Sequence, residues 1–247
     1  MRIHGFHQLY QHRLALSTRP FAARGAKIER CPYCRVETRV CLCQYQPNIE
    51  TQIAVLLLVS DNEVFKPSNT GRLIADTVKE TYVYQWSRTE PSTDMLALLS
   101  HPDYFPVLVF PAETPEDEAR TINPGSLPSE GRKPLLIFLD GCWREAKRIL
   151  RKSPYLAALP MISIHPQTLS EYVMRKSDNE QHLATAEVAA LVFESVGESI
   201  GAQTLHYWFE AFKESYMMGK SRCAHNVERP ALQRYLSLGA HSLNDVA

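Results

Sequence analysis

Residues 134–150, PLLIFLDGCWREAKRIL, contain the transition that decides the fold. The apolar run at 134–139 is typical of a strand covered on both faces of a parallel sheet. Asp140 and Gly141 follow it directly, and a segment with helical spacing begins near Trp143. A buried strand, a polar turn and a helix in this order indicate an α/β protein.

The same alternation recurs along the chain. Further apolar runs lie at 52–59, 81–86, 107–110 and 161–164, and segments with helical spacing lie at 71–80, 92–100 and 144–152. Two amphipathic helices are predicted at 184–197 and 204–219, each ending in a glycine. The sequence therefore predicts a mostly parallel sheet with helices on its faces.

Composition indicates the class of protein, but it does not identify a binding partner. The 247 residues are 45% hydrophobic and 22% charged, with no formal net charge, which is ordinary for a globular protein. The longest apolar run, 53–59, is far shorter than the roughly 20 residues of a membrane helix, and the N-terminus has no apolar signal core. We expect a cytoplasmic protein with no membrane association.

Four of the six cysteines lie close together, which favours a metal site over a disulfide framework. They are Cys31, Cys34, Cys41 and Cys43. Four thiolates can close a tetrahedral zinc site, and an iron–sulfur cluster is the main alternative. We favour zinc in a structural role, holding the basic N-terminal segment in place.

The turn after residues 134–139 is a candidate ligand site, because ligands in α/β sheets collect beyond the carboxyl ends of the strands. Gly141 permits close approach of a ligand to the backbone. The helix that follows presents four cations on one face, Arg144, Lys147, Arg148 and Arg151. These cations repel one another, and a polyphosphate such as RNA would relieve that cost. Helix capping and a solvated basic face are the simpler alternatives.

Other strand ends carry polar groups of the same kind. Residues 68–70 precede a helix and could bind an anion through backbone amides, and Thr185 is predicted to be the N-cap of a helix with Glu187 in its first turn. Trp86 and Arg88 follow the second strand and suit a nucleobase and a phosphate. The chain has neither a P-loop nor a Rossmann fingerprint, so ATP and NAD are not indicated.

Five motifs in this order resemble the DTW-domain family, over about residues 18–220. They are the cysteine cluster, KPSNTGRLIAD, QWSRTEP, LDGCW and TAEVA. The family signature is Asp-x-Thr-Trp; Asp140 and Trp143 match it, and Cys142 stands where threonine is expected.

The resemblance, which is closest to the tRNA-uridine aminocarboxypropyltransferases of the family, implies a reaction. The 3-amino-3-carboxypropyl group of S-adenosylmethionine passes to N3 of a uridine in tRNA, and methylthioadenosine is released. The resemblance also implies a fold similar to SPOUT-type methyltransferases, with a knotted cofactor site. Uridine N3 carries a proton near neutral pH, so the reaction needs a general base.

This reaction suggests a role for each candidate residue. Asp140 is the candidate base, and Trp143 is expected to orient the propyl chain and shield the methyl group. The candidate cofactor-binding residues are Ser68, Asn69, Thr70, Leu139, Gly141, Cys142, Ile164 and Thr185. The candidate RNA-binding residues are Arg24, Lys27, Arg30, Arg88, Arg144, Lys147, Arg148 and Arg151.

We predict three regions: a basic N-terminal segment with the cysteine knuckle at 1–50, a catalytic domain at 51–220 and a C-terminal tail at 221–247. The expected partner is tRNA, and no protein partner is predicted. Two alternatives stay open, a methyltransferase that uses the same cofactor on RNA and a zinc-containing RNA-binding protein without catalysis.

Overall fold

The computed structural model describes residues 1–18, 28–127, 131–164, 184–219 and 228–239. Its strands are β1 (Ala54–Val59), β2 (Thr81–Gln85), β3 (Tyr104–Val109), β4 (Lys133–Asp140) and β5 (Met161–Ile162). Its α-helices are α1 (Gly5–Ala15), α2 (Gly71–Thr77), α3 (Thr93–Leu99), α4 (Pro115–Ala119), α5 (Trp143–Lys152), α6 (Thr185–Ser195), α7 (Ser199–Met218) and α8 (Pro230–Leu236).

The five strands form one sheet in the order β2-β1-β4-β3-β5, and every described pair is parallel. The predicted α/β class and parallel sheet are confirmed. β1 and β4 lie at the centre, with Val59 beside Asp140 in register. The last residues of the two central strands therefore meet at one edge of the sheet.

Helices cover both faces of the sheet. In β1, Val55 and Leu57 belong to an apolar cluster with α2, α6 and α7, whereas Leu56 and Leu58 pack with α3 and α5. Side chains alternate between the faces because the strand has a period of two. We call the two sides the α2 face and the α5 face.

Local sequence explains where the helices begin and end. The Ser92 hydroxyl accepts the Met95 N–H at 3.3 Å and caps α3. Gly197, at φ +85°, ends α6 in the left-handed region that glycine adopts without strain. At α5, Cys142 is the N-cap and the Glu145 carboxylate accepts its N–H at 2.9 Å, the reciprocal half of a capping box.

The cysteine region and α8 pack into the same core as the sheet. Val36 and Leu42, from the cysteine region, are fully buried in the α2-face cluster. Within the predicted tail, Leu232 and Tyr235 of α8 are also buried there, and the Tyr235 hydroxyl donates to the Tyr45 carbonyl at 2.8 Å. The cysteine region and α8 therefore stabilise each other.

Asp76 is a buried carboxylate that joins three elements. It accepts hydrogen bonds from Gln46 at 2.8 Å and Trp208 at 3.1 Å, and His4 Nε2 lies 3.0 Å away. Although burial raises it, these contacts and Arg72 hold the pKa of Asp76 well below its usual range. The ionised carboxylate therefore ties the N-terminal segment to α2 and α7.

Two sequence expectations concern topology and the membrane. The segment 165–183, which joins β5 to α6, lies outside the described residues, so the knotted SPOUT-like site stays a prediction. No helix in the described part of the chain has the length and apolar character needed to cross a bilayer.

Candidate active site at the carboxyl ends of the central strands

The carboxyl ends of β1 and β4 form a topological switch point. The next strand after β1 is β2, on one side, and the next strand after β4 is β5, on the other. The loops that leave these two ends therefore diverge, and α/β sheets bind their ligands at such a point. Asp140 ends β4 at this switch point, as the sequence predicted.

Asp140 is held by groups from two other elements. Its side chain lies on the α2 face and the residue is 2% exposed. Asn69 Nδ2 donates to Oδ2 at 2.6 Å, and the Thr185 hydroxyl donates to Oδ1 at 2.8 Å. A Cβ on Gly71 would lie 2.6 Å from the carboxyl group, so only glycine leaves room for Asp140 at this position.

The surroundings of Asp140 make it able to exchange a proton near neutrality. Burial raises the pKa of Asp140 to about 6, and the nearby Glu63 carboxylate adds to the shift. The hydrogen bonds from Asn69 and Thr185 oppose it. A carboxyl group with a pKa close to the working pH suits general base catalysis.

The structure corrects the prediction that Thr185 is an N-cap. Ala184 is the N-cap of α6, and Thr185 is the first helical residue. Its hydroxyl therefore reaches Asp140 instead of capping the helix. Glu187 lies in the first turn as predicted, and its carboxylate accepts the Ala184 N–H at 2.8 Å.

The predicted cradle at residues 68–70 is only partly assembled around Asp140. Asn69 contacts the carboxyl group, and its side-chain oxygen accepts the Arg72 N–H at 3.0 Å. The Thr70 hydroxyl accepts the Ala186 N–H at 3.4 Å, which links the loop to α6. Ser68 is exposed to solvent.

Trp143 lies on the other face of the sheet from Asp140. Its ring is parallel to that of Phe110, at 5.2 Å and 6°, and Phe110 belongs to the α5-face cluster. Trp143 is 41% exposed. The two signature residues therefore flank the end of β4 from opposite sides, and the exposed indole offers a stacking surface.

The other candidate cofactor-binding residues near the end of β4 are divided in the same way. Leu139 packs on the α5 face, whereas Ile164 packs against the cluster of the α2 face. Cys142 is exposed at the start of α5. Gly141 has little space around it, because a Cβ there would lie 3.0 Å from Glu145 Cβ.

The loop after β1 supplies residues that the sequence interpretation missed. Ser60 donates its N–H to the Asp140 carbonyl at 2.8 Å, and Glu63 forms an ion pair with Lys66. Asn62 donates to the Glu145 carboxylate at 2.6 Å. Ser60 follows an apolar strand just as Asp140 does, so the same pattern could have identified it.

The basic face of α5 is exposed and partly neutralised. Arg144, Arg148 and Arg151 are exposed, and the Arg148 guanidinium lies 5.4 Å from the Trp86 ring. Lys147 pairs with Glu113 at 2.7 Å and lies 4.9 Å from the Trp143 ring. The predicted repulsion is therefore relieved in part within the protein itself.

The other candidate RNA contacts are scattered. Arg88 is exposed after β2. Arg30 donates to the Arg35 carbonyl at 3.2 Å and lies 5.4 Å from the Tyr216 ring, so it belongs to the packing of the cysteine region. Arg24 and Lys27 lie outside the described residues.

The four clustered cysteines could hold a metal ion such as zinc. Their sulfur atoms all lie within 4.8 Å of one another, with Cys31 and Cys43 at 3.5 Å and Cys34 and Cys41 at 3.6 Å. All four are free of disulfides. Hydrogen bonds among the four thiols lower the pKa of Cys31 and raise the pKa values of Cys34 and Cys43, so the cluster shares its protons, and a thiolate is the form that binds metal. The donor set fits a tetrahedral Cys₄ site.

Comparison with known proteins gives one family and no structural neighbour. A family model described as the DTW domain matches residues 28–217, which is most of the chain. No solved structure matches the chain.

Proposed function

Because the chain belongs to the DTW-domain family, whose members are associated with tRNA modification, we propose that it transfers the 3-amino-3-carboxypropyl group of S-adenosylmethionine to N3 of a uridine in tRNA. S-adenosylmethionine supplies the transferred group and leaves as methylthioadenosine. The observation that carries this proposal is the buried Asp140 at the switch point, with a pKa of about 6.

Asp140 acts as the general base in this proposal. Uridine N3 becomes a good nucleophile only when its proton is removed, and a carboxylate in a water-poor site can accept that proton. Asn69 and Thr185 keep the carboxyl oxygens in place, because each donates to one of them. The Thr185 hydroxyl can rotate to accept a hydrogen bond when Asp140 becomes protonated, whereas Asn69 stays in place because its side-chain oxygen accepts the Arg72 N–H.

The α5 face provides the proposed RNA contacts. Uridine N3 lies on the Watson–Crick edge, so the target base must be unpaired, and unpaired bases that flank it can stack on exposed aromatic rings. Trp143 is such a ring, Trp86 is partly exposed, and each lies close to a cation. Arg144 and Arg151 then bind phosphates and anchor the RNA without reading its sequence.

The Cys₄ site has a structural role in this proposal. A closed shell of four thiolates leaves no open position for a substrate, and the cysteines lie within or against the α2-face core. The metal therefore stabilises the region from Cys31 to Cys43 and does not take part in the transfer.

A labelling experiment tests the proposal directly. Unmodified tRNA is incubated with the full-length protein and S-adenosylmethionine labelled either in the methyl carbon or in the carboxyl carbon. We expect only the carboxyl label to reach tRNA, with one methylthioadenosine released per transfer. Label arriving only from the methyl carbon would show an RNA methyltransferase, and tRNA binding without either label would show a binding protein.

A further inference from the structure

Ser60 carries a buried hydroxyl that the fold itself does not use. The residue is 4% exposed, and its Oγ has no hydrogen-bond partner among the residues that the structure describes. Leaving such a group unpaired is energetically unfavourable. The backbone of Ser60 is well held, since its N–H donates to the Asp140 carbonyl and its carbonyl accepts the Glu63 N–H at 3.0 Å.

The Ser60 hydroxyl and the Glu145 carboxylate both lie close to Gly141. Measured from the position that a Cβ on Gly141 would occupy, Ser60 Oγ lies at 3.3 Å and Glu145 Oε2 at 3.4 Å. Both polar groups therefore lie close to Gly141 at the end of β4. The three residues come from the end of β1, the turn after β4 and the first turn of α5, all at the switch point.

Glu145 is charged and retains capacity for another hydrogen bond. It accepts from Asn62 through Oε1 and from the Cys142 N–H through Oε2, whereas an ionised carboxylate has about four lone-pair sites. Although burial raises it, these hydrogen bonds hold the pKa of Glu145 at about 2. The carboxylate is therefore negative at any physiological pH.

A hydroxyl beside an anionic carboxylate suits a ligand that is a cation and a hydrogen-bond donor. The nearby Lys66 ammonium pairs with Glu63, and it is close enough to act electrostatically on Glu145 and Cys142. This ammonium could bind a carboxylate on the same ligand. The arrangement matches the two charges of an α-amino acid head group.

We propose that Ser60 and Glu145, both close to Gly141, bind the α-ammonium group of the aminocarboxypropyl moiety, with Lys66 facing its carboxylate. This inference rests on the proposed function and adds a subsite to it. The subsite holds the part of the substrate that is transferred, and the product methylthioadenosine lacks that part. Substrate and product therefore differ in affinity through these three side chains.

The test compares two ligands on the full-length protein by calorimetry, S-adenosylmethionine and methylthioadenosine. In Ser60→Ala and in Glu145→Gln, we expect affinity for S-adenosylmethionine to fall about ten-fold, because the first removes a hydrogen bond to the charged ammonium and the second removes the negative charge that pairs with it. Affinity for methylthioadenosine should not change. Glutamine preserves the capping box, and the Ser60 hydroxyl has no partner within the described residues, so both variants should fold.

Ser215→Ala is the matched control. Ser215 is also buried, but its hydroxyl donates to the Ala211 carbonyl and accepts a hydrogen bond from Arg229. We expect this control to lower thermal stability without affecting either affinity. Unchanged affinity for S-adenosylmethionine in Ser60→Ala, or an equal loss for both ligands, would overturn the subsite. Failure of the wild-type protein to bind either ligand would instead overturn the proposed function itself.

Discussion

Asp140 shows how one buried carboxyl group can be placed by the sequence and tuned by its neighbours. Its position after an apolar strand was predicted from residues 134–140, because α/β proteins bind their ligands at the carboxyl ends of the strands. Its contacts with Asn69 and Thr185 could not be predicted, since they join residues far apart in the chain. The direction of its side chain could have been read from the alternation of β4, in which Phe138 and Asp140 share a face.

We expect Asp140→Asn to change the pH dependence of stability. A pKa raised to about 6 means that the folded state favours the protonated carboxyl. The protonated group therefore contributes to the free energy of unfolding below about pH 4, and this contribution is lost as the pH rises through about 6. Asparagine does not ionise, so the variant should not lose stability as the pH rises. Near pH 7 its free energy of unfolding should exceed that of wild type by on the order of 1–3 kcal/mol. Urea denaturation near pH 4 and near pH 7 measures the difference.

Transfer activity should nevertheless fall by about a hundred-fold or more in Asp140→Asn if the carboxylate is the base. Asp117→Asn is the control, because its change in stability near pH 7 should have the opposite sign. Although burial raises it, hydrogen bonds from Arg120 hold the pKa of Asp117 below its usual value, so this variant should lose stability near pH 7 and keep activity. Retained transfer in Asp140→Asn would exclude the base role.

Cys142→Thr tests the departure from the family signature. Cys142 is the N-cap of α5, and threonine is a much better N-cap because its hydroxyl accepts a backbone N–H. We expect the variant to gain about 0.5–1 kcal/mol in the free energy of unfolding. Thermal unfolding measures this gain, and Cys142→Ala, which cannot cap through its side chain, is the comparison that should not show it.

At the scale of secondary-structure elements, the start of α2 lies very close to the end of β4. Gly71 begins α2, and a Cβ on it would lie 2.6 Å from the Asp140 carboxyl. The sequence placed a helix after KPSNT but gave no measure of this distance, because helix–strand packing depends on the whole core.

Gly71→Ala should destabilise the protein by about 1–3 kcal/mol and displace Asp140, since the added carbon has no room. Gly201→Ala is the matched control in α7, where the nearest atom to a new Cβ is Phe193 Cδ2 at 3.6 Å. That substitution should stabilise the helix by about 0.5–1 kcal/mol. Chemical denaturation of both variants tests the contrast, and equal effects would contradict it.

The basic face of α5 predicts a salt-dependent affinity for RNA. We expect the double variant Arg144→Ala with Arg151→Ala to weaken tRNA binding and to reduce the slope of log affinity against log salt by about one to two. Lys147→Met should weaken binding less, because Lys147 is already paired with Glu113. Filter binding at several salt concentrations measures these slopes, and a double variant with the wild-type slope would contradict the RNA contact.

For the whole molecule, the cysteine region, the sheet and α8 form a single packed body within the described residues. Apolar runs predicted the strands well, since burial on both faces leaves a plain signal in the sequence. They did not predict that Leu42 and Tyr235 would enter one core. Contacts of that kind depend on the fold of the complete chain, and neither residue lies in a periodic pattern that points to the other.

Metal removal should therefore destabilise the molecule well beyond the cysteines. We expect Cys34→Ser to lose about one zinc per chain and to lower the unfolding temperature, since structural zinc contributes directly to folding. Metal analysis and thermal unfolding check both results. Cys142→Ser, which removes an exposed thiol outside the cluster, should keep the metal. Iron with acid-labile sulfide in the purified protein would show the iron–sulfur alternative.

The placement of the three tryptophans gives the protein separable optical signals. Trp208 is 1% exposed and donates to Asp76 at 3.1 Å in the α2-face core, so its fluorescence emission reports unfolding. Trp86 and Trp143 lie at the strand ends, each close to a cation, and their emission should be quenched by iodide or by a stacked nucleobase. RNA docking and loss of the core can thus be followed in one sample without an added dye.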